Sequence, residues 1–287
     1  MYAIRLHIKP TSTLTFRVLP GSMLHISTYP FVPPSTLSGF LKRLALLTTQ
    51  KDNPNERSVY PETDVERGRG RTKRNPPYYT LPTSLISVGA YPRLMQYPDK
   101  PSRNFRIHQS YRHGPREFSH SDFSKMRKEA KVHNLQLHTW EYLFTDYLVA
   151  YVLAEDGNFL SCFKELVGYG TKLGKEGYAY LEAVDDPFPL DINKIEAPPS
   201  SLVPLESANV VLNATTYQIY YHRWQQGRAS PAIFENSPSP VDGFNSILAV
   251  FVSDLNQTIK TEYYHNGNEL YISKGLVDKL KDGFRGV

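Results

Sequence analysis

Residues 2–9 alternate without exception. Tyr2, Ile4, Leu6 and Ile8 fall on one side, and Ala3, Arg5, His7 and Lys9 on the other. A period of two predicts a strand with one buried face and one basic face. Leu14, Phe16 and Val18 repeat the alternation before Pro20-Gly21, a turn signal. The spacing then changes: Leu37, Phe40, Leu41, Leu44 and Leu47 recur as on one side of a helix. Pro33 and Pro34 open that helix, with Ser35 or Thr36 placed to cap its free N–H groups, and Lys42 and Arg43 lie off the apolar stripe. From about residue 48 to 137 the pattern dissolves, and prolines recur at 54, 61, 76, 77, 82, 92, 98, 101 and 115. So long an irregular stretch inside a domain is functional or disordered; a few strands are expected within it.

Order returns near Trp140. Residues 142–154 read as a strongly apolar strand ended by Glu155-Asp156-Gly157-Asn158. Phe159, Leu160, Phe163, Leu166 and Val167 match a short helix with Gly168 or Gly170 as terminator, and residues 178–184 form another strand. One further strand hidden in the irregular stretch would complete a β-α-β-β-α-β unit. The expected fold is therefore α+β: a ferredoxin-like (RRM-like) domain over 1–185 with an insertion at about 50–138. A proline-rich linker follows over 186–207, and then a smaller β-rich part over 208–287. In that part strands are expected over 210–224, 247–253, 258–265 and 269–273, with a hairpin turn at Asn266-Gly267 and a last helix over 274–282.

Composition adds a division of charge. The net charge is +5, but residues 51–131 hold 17 Lys/Arg against 9 Asp/Glu, leaving 16 against 19 elsewhere. A basic middle on a slightly acidic body points to a polyanionic partner for that middle. The single cysteine, Cys162, rules out a disulfide framework within the chain. The first ten residues lack the apolar core of a signal peptide, and no stretch approaches the roughly 18 apolar residues of a membrane span. A soluble, cytoplasmic protein without membrane contact is the expectation.

Three segments carry candidate chemistry. Arg67, Arg69, Arg71, Lys73 and Arg74 place five cations in eight residues, interleaved with Gly68 and Gly70. Guanidinium groups pair with phosphate, and glycine lets a backbone follow an irregular strand; the competing reading is a solvated loop. In residues 105–120, Arg106, His108, Arg112, His113, Arg116 and His120 alternate with Phe105, Tyr111 and Phe118. That mixture suits single-stranded nucleic acid, where bases stack on rings, or else a hairpin with its phenylalanines in the core. The loop 170–177 combines Gly170, Gly174 and Gly177 with Lys172 and Lys175, a composition whose backbone can approach phosphate, although it is not a P-loop. Nine histidines form no pair with metal-ligand spacing, so no metal and no cofactor are expected. A metal-free ribonuclease would need a base, an acid and a cation; Tyr111, His113, Lys131 and His133 supply the types.

Residues 29–41, Tyr-Pro-Phe-Val-Pro-Pro-Ser-Thr-Leu-Ser-Gly-Phe-Leu, resemble the N-terminal signature of the Cas five family of RAMP proteins, in which a proline pair leads into the first helix. The sequence Lys172-Leu173-Gly174-Lys175-Glu176-Gly177 is similar to that family's glycine loop. The resemblance implies a RAMP ferredoxin-like domain with a basic thumb between its second and third strands. It implies a structural subunit of a type I CRISPR surveillance complex (Cascade), holding the 5′ handle of the crRNA in antiviral defence. Its partners would be that handle, the backbone and large subunits, and target DNA indirectly. The RNA-contact residues expected on these grounds are Ser35, Thr36, Lys42, Arg43, Arg67, Arg69, Arg71, Lys73, Arg74, Arg106, His108, Arg112, Lys172, Gly174 and Lys175. The alternative is an endoribonuclease of the processing Cas five or Cas six kind.

Replacing Arg67, Arg69 and Arg71 together by Ala should weaken RNA binding and lower its salt slope by about one per lost phosphate contact. Affinity titrations across a salt series check this; an unchanged slope removes the loop from the interface.

Overall fold

The computed structural model describes residues 1–16, 18, 25–49, 67–68, 71–72, 81–97, 100–113, 116–118, 125, 138–208, 214–224, 240–267 and 269–282. The strand Tyr2–Pro10 forms, and from residue 4 its burial follows the alternation: Ile4, Leu6 and Ile8 are fully buried, whereas Arg5, His7 and Lys9 face outward; at its start the expectation is reversed, with Tyr2 exposed and Ala3 buried. It lies inside a six-stranded sheet whose order is Gly170–Lys172, Tyr178–Val184, Tyr2–Pro10, Leu148–Ala154, Ile86–Pro92, with Phe188–Pro189 pairing beside Tyr2–Ala3. Every pairing in this sheet is antiparallel.

The helix Pro34–Thr48 begins at the expected proline and buries Leu37, Phe40, Leu41 and Leu44 in the main core. No side chain caps its N-terminus; Pro33 stands at the cap position. Lys42, expected on the outer side, is buried at 1% exposure. The second predicted helix is a 3-10 helix, Gly157–Leu166, opened by Asp156 accepting from the Asn158 N–H at 2.9 Å. Its buried residues are Leu160, Phe163 and Leu166. A spacing of three matches the three residues per turn of a 3-10 helix. Phe159 and Val167, which would extend an α-helical stripe, are exposed.

Other expectations shift. The apolar run 142–154 is two strands, His138–Phe144 and Leu148–Ala154, in different sheets. The irregular stretch does hold a strand of the main sheet, Ile86–Pro92, buried along its whole length and paired with Leu148–Ala154. It splits the expected single insertion, so residues 67–74 precede it and residues 105–120 follow it. Leu14–Val18 make local bridges to residues 27–29, 143 and 176 instead of a named strand. Residues 186–207 are woven into the fold rather than acting as a linker: Asp191–Ala197 pairs with Ile259–His265, and Val203–Pro204 with Val250–Ala249. The tail forms Thr215–Trp224, Pro240–Phe251, Ile259–His265, Tyr271–Ser273 and the helix Lys274–Asp282.

One core joins the expected parts. Ile219, Ile247, Phe251, Ile272 and Leu276 belong to the same cluster as Ile4 and Leu41. Phe31 meets Phe251 at 5.3 Å and Tyr217 at 5.5 Å between ring centres. Above this aromatic layer lies a buried cation. Arg103 donates from Nε to the Val252 carbonyl (3.0 Å), from Nη1 to Pro92 (3.3 Å), and from Nη2 to Pro199 (3.1 Å) and Ser200 (3.2 Å). Its guanidinium lies 5.1 Å from the Tyr91 ring centre and 5.5 Å from that of Phe251. Burial lowers its pKa to about 10, so it keeps its charge at neutral pH.

Arg103→Met preserves the stem but leaves four carbonyls unpaired. A loss of roughly 3–5 kcal/mol is expected, since each unsatisfied buried acceptor costs about 1–3 kcal/mol and relaxation recovers part. The urea midpoint measures it; a shift under about 1 kcal/mol would remove Arg103 from this role.

Candidate nucleic-acid interface

The strand Arg106–His113 pairs antiparallel with His138–Phe144, in a register that sets Arg112 opposite His138, Ser110 opposite Trp140, His108 opposite Tyr142 and Arg106 opposite Phe144. Directly opposed side chains share a face. One face of this sheet therefore carries a strip of alternating cationic and aromatic groups. Arg106 lies 5.0 Å from the centre of the Phe144 ring, His108 meets that ring edge-on at 5.8 Å, and Trp140 stacks on Tyr142 at 6.5 Å. Arg106 and His108 are exposed, Arg112, His138, Trp140 and Phe144 half-buried, and Tyr142 and Ser110 buried.

The glycine loop reaches the end of this strip. The Lys175 N–H donates to the Thr15 carbonyl (2.9 Å), the Thr15 N–H to Glu176 (3.0 Å), and the Leu173 N–H to Gly177 (3.0 Å). These amides are spent inside the fold and not offered to phosphate. The glycines permit the approach. Gly174 has φ +83°, and a Cβ there would lie 2.7 Å from both the Phe16 ring and the Thr15 carbonyl; Gly177, at φ +108°, is as tightly placed against Thr13. What the loop offers outward is side chains. Lys175 Nζ sits 4.2 Å from the centre of the Trp140 ring, and the Arg112 guanidinium 5.1 Å from it. Glu176 accepts from Arg112 Nη1 through both oxygens at 3.0 Å, while Arg112 Nε is buried without a partner. Two cations thus share one indole with one carboxylate. The excess positive charge and the spare donor suit a phosphate, and the rings suit a base.

The structure unites Arg112 and Lys175, with Arg106 and His108 along the same strip. It leaves the others elsewhere. Ser35 Oγ donates to the Tyr220 carbonyl (3.4 Å), Thr36 and Arg43 are half-buried on the first helix, and Lys172 is exposed on the sheet edge. The buried Lys42 is not presented to a ligand. Arg67–Gly68 and Arg71–Thr72 pair as two short strands; Arg69, Lys73 and Arg74 lie outside the described residues. Of the alternative catalytic set, Tyr111 occupies the strand face opposite to Arg112, His113 is described in backbone only, and Lys131 and His133 lie outside the described residues. Phe105 packs against the core, as the hairpin reading requires. Trp140 and Glu176 were not among the expected site residues. The alternation of His138, Trp140, Tyr142 and Phe144 was the available signal.

No family model matches the chain, and no curated protein does. Among solved structures, a CRISPR protein from Archaeoglobus fulgidus is 12% identical, covers 95% of this chain and 99% of its own, and gives a TM-score of 0.41. A chain of the type III-B Cmr-beta complex bound to cognate target RNA is 12% identical over 98% of this chain and 90% of its own, with a TM-score of 0.46. A chain of a type IV-B CRISPR complex is 13% identical over 64% and 90%, with a TM-score of 0.33. At these values none of the likenesses identifies a family or a function. Among the described residues no helix is long and apolar enough to cross a membrane.

Gly174→Val combines a left-handed backbone with a side chain driven into Phe16 and Thr15. A destabilisation of about 1–3 kcal/mol or more is expected, read as a lowered melting temperature. A melting temperature equal to that of the parent would contradict the docking geometry.

Proposed function

We propose that the chain is an RNA-binding structural subunit of a CRISPR effector complex, of the Cas five type within a type I Cascade. It would hold the 5′ handle of the crRNA and cap the backbone filament. The observation that carries the reading is the Arg112–Trp140–Lys175 cluster: rings for bases, flanked by cations for the backbone, at the junction of two separately coded segments. Single-stranded RNA is recognised by this combination.

Two features support the family. The proline pair within residues 29–41 stands at the start of the first helix, although neither Ser35 nor Thr36 caps it. The sheet order Tyr178–Val184, Tyr2–Pro10, Leu148–Ala154, Ile86–Pro92 agrees with a ferredoxin-like β-α-β-β-α-β unit, because the first strand lies between the fourth and the third, the second pairs with the third, and every pairing is antiparallel. In this reading the segment from 93 to 147 stands between the second and third strands, where a thumb belongs, and bears the cationic strip. The basic run at 67–74 precedes the second strand in the sequence.

Fluorescence anisotropy with a repeat-derived handle RNA and an unrelated RNA, at moderate salt, tests the reading. The handle should bind preferentially. Trp140→Ala should weaken it by about 1–3 kcal/mol per base unstacked, roughly five- to 150-fold, without changing the circular dichroism spectrum. Equal, weak binding of both RNAs would overturn it.

A further inference from the structure

A second concave region lies away from the Trp140 cluster. A cavity of about 1090 Å³ opens between three parts of the fold: the sheet face bearing Arg5 and His7, the hairpin Leu94–Tyr97 with Lys100–Arg103, and residues 198–200. That is slightly above the ~300–1,000 Å³ typical of small-ligand sites, which favour such junctions.

Its lining is charged in both senses. Arg5, Arg93, Arg103 and His7 line it with Asp146 and Glu269, and Asp185 stands beside it, 3.8 Å from Arg5 and 3.0 Å from His7. Arg103 is held by carbonyls, and among the described residues no carboxylate pairs with it. One donor of Arg5 is unsatisfied: Asp185 and Glu269 stand 3.8 and 4.0 Å from its terminal nitrogens and the Tyr151 hydroxyl bonds to it, but its Nε is buried with no acceptor. A buried donor without an acceptor is rare in a finished fold and marks a place where an external acceptor fits.

The rim is cross-linked by hydrogen bonds. The Arg93 N–H donates to the Tyr147 carbonyl (3.0 Å) and the Asn104 N–H to the Arg93 carbonyl (2.9 Å). Thr145 Oγ1 closes the frame on the carbonyls of Asn104 (2.8 Å) and Tyr147 (3.0 Å). The exposed Arg93 guanidinium lies over the Tyr147 ring at 5.7 Å. A guanidinium plane backed by a ring is a stacking surface for a nucleobase. Beside it, the Asn104 amide nitrogen and an Asp146 carboxylate oxygen are 3.4 Å apart, a donor and an acceptor side by side for a base edge.

We propose that this cavity binds one nucleoside phosphate, free or as a unit of an RNA strand. The phosphate rests on Arg5, the base stacks on Arg93 over Tyr147, and its edge meets Asn104 and Asp146. The site shares no residue with the Trp140 cluster and does not require the CRISPR reading.

Calorimetry on the full chain tests it with AMP, GMP, CMP and UMP, a short single-stranded oligoribonucleotide, and inorganic phosphate. The variants are Arg93→Glu, Asn104→Ala and, as a charge-matched control on the exposed strand Asp191–Ala197, Lys194→Glu. Saturable binding of a mononucleotide is expected, at least ten-fold weaker in Arg93→Glu and unchanged in Lys194→Glu. The same pattern with the oligonucleotide alone identifies an RNA unit as the ligand. Should Arg93→Glu not fold, Asn104→Ala carries the test by weakening binding of at least one base. The proposal falls if neither ligand saturates, if binding survives the folded rim variants, if Lys194→Glu loses as much, or if inorganic phosphate binds as tightly as the nucleotides. Mononucleotides do not report handle preference, so this site and the proposed function fail separately.

Discussion

A charged guanidinium with no carboxylate partner among the described residues sits where the main sheet, the hairpin that follows it and the C-terminal strands come together. Bringing such an ion out of water costs several kcal/mol even after relaxation. Arg103 meets that cost with four carbonyls drawn from residues 92, 199, 200 and 252, and with two aromatic faces. Each carbonyl belongs to a segment that has somewhere else to be unless the others are in place. Tyr91 repeats the device: its hydroxyl donates to the Val88 carbonyl and accepts from the Leu202 N–H. Residues 198–202 are thereby tied to the sheet from two sides, which is why a proline-rich stretch resembling a linker behaves as part of the core.

Periodicity was legible wherever one face of an element is buried and the other wet. The first strand, the first helix and the last helix follow their patterns closely. It failed where both faces are covered. Ile86–Pro92 is buried at every position and holds a glycine and a proline, so it shows no alternation. It failed again where a run of apolar residues crosses from one sheet to another, as at Thr145-Asp146-Tyr147. Lys42 was misleading in a related way: charge in a sequence is read as surface, and a long stem need not be there.

The candidate site follows a similar rule. Arg112 and Lys175 were each visible as cations in suggestive company, yet only the fold places them on one indole. The glycines of the loop, read as a phosphate cradle, serve instead to press it against residues 13–16 and so to aim Lys175 and Glu176. The motif of residues 29–41 shows the same division of labour. Its aromatic residues pack the junction with the C-terminal strands, and its Ser38 accepts from the Leu81 N–H (2.8 Å). Residues that attract notice as chemistry are here largely architecture, and the exposed chemistry hangs from them.

The pairing of the first strand carries a consequence for the chain's synthesis. Tyr2–Pro10 lies between Leu148–Ala154 and Tyr178–Val184, and those are its only long neighbours among the described strands. At translation speeds of roughly 5–20 residues per second, about ten seconds or more pass before either partner leaves the ribosome. Throughout that interval an apolar strand with two open edges is exposed. The outward-facing Arg5, His7 and Lys9 are then the nascent chain's own protection against premature pairing.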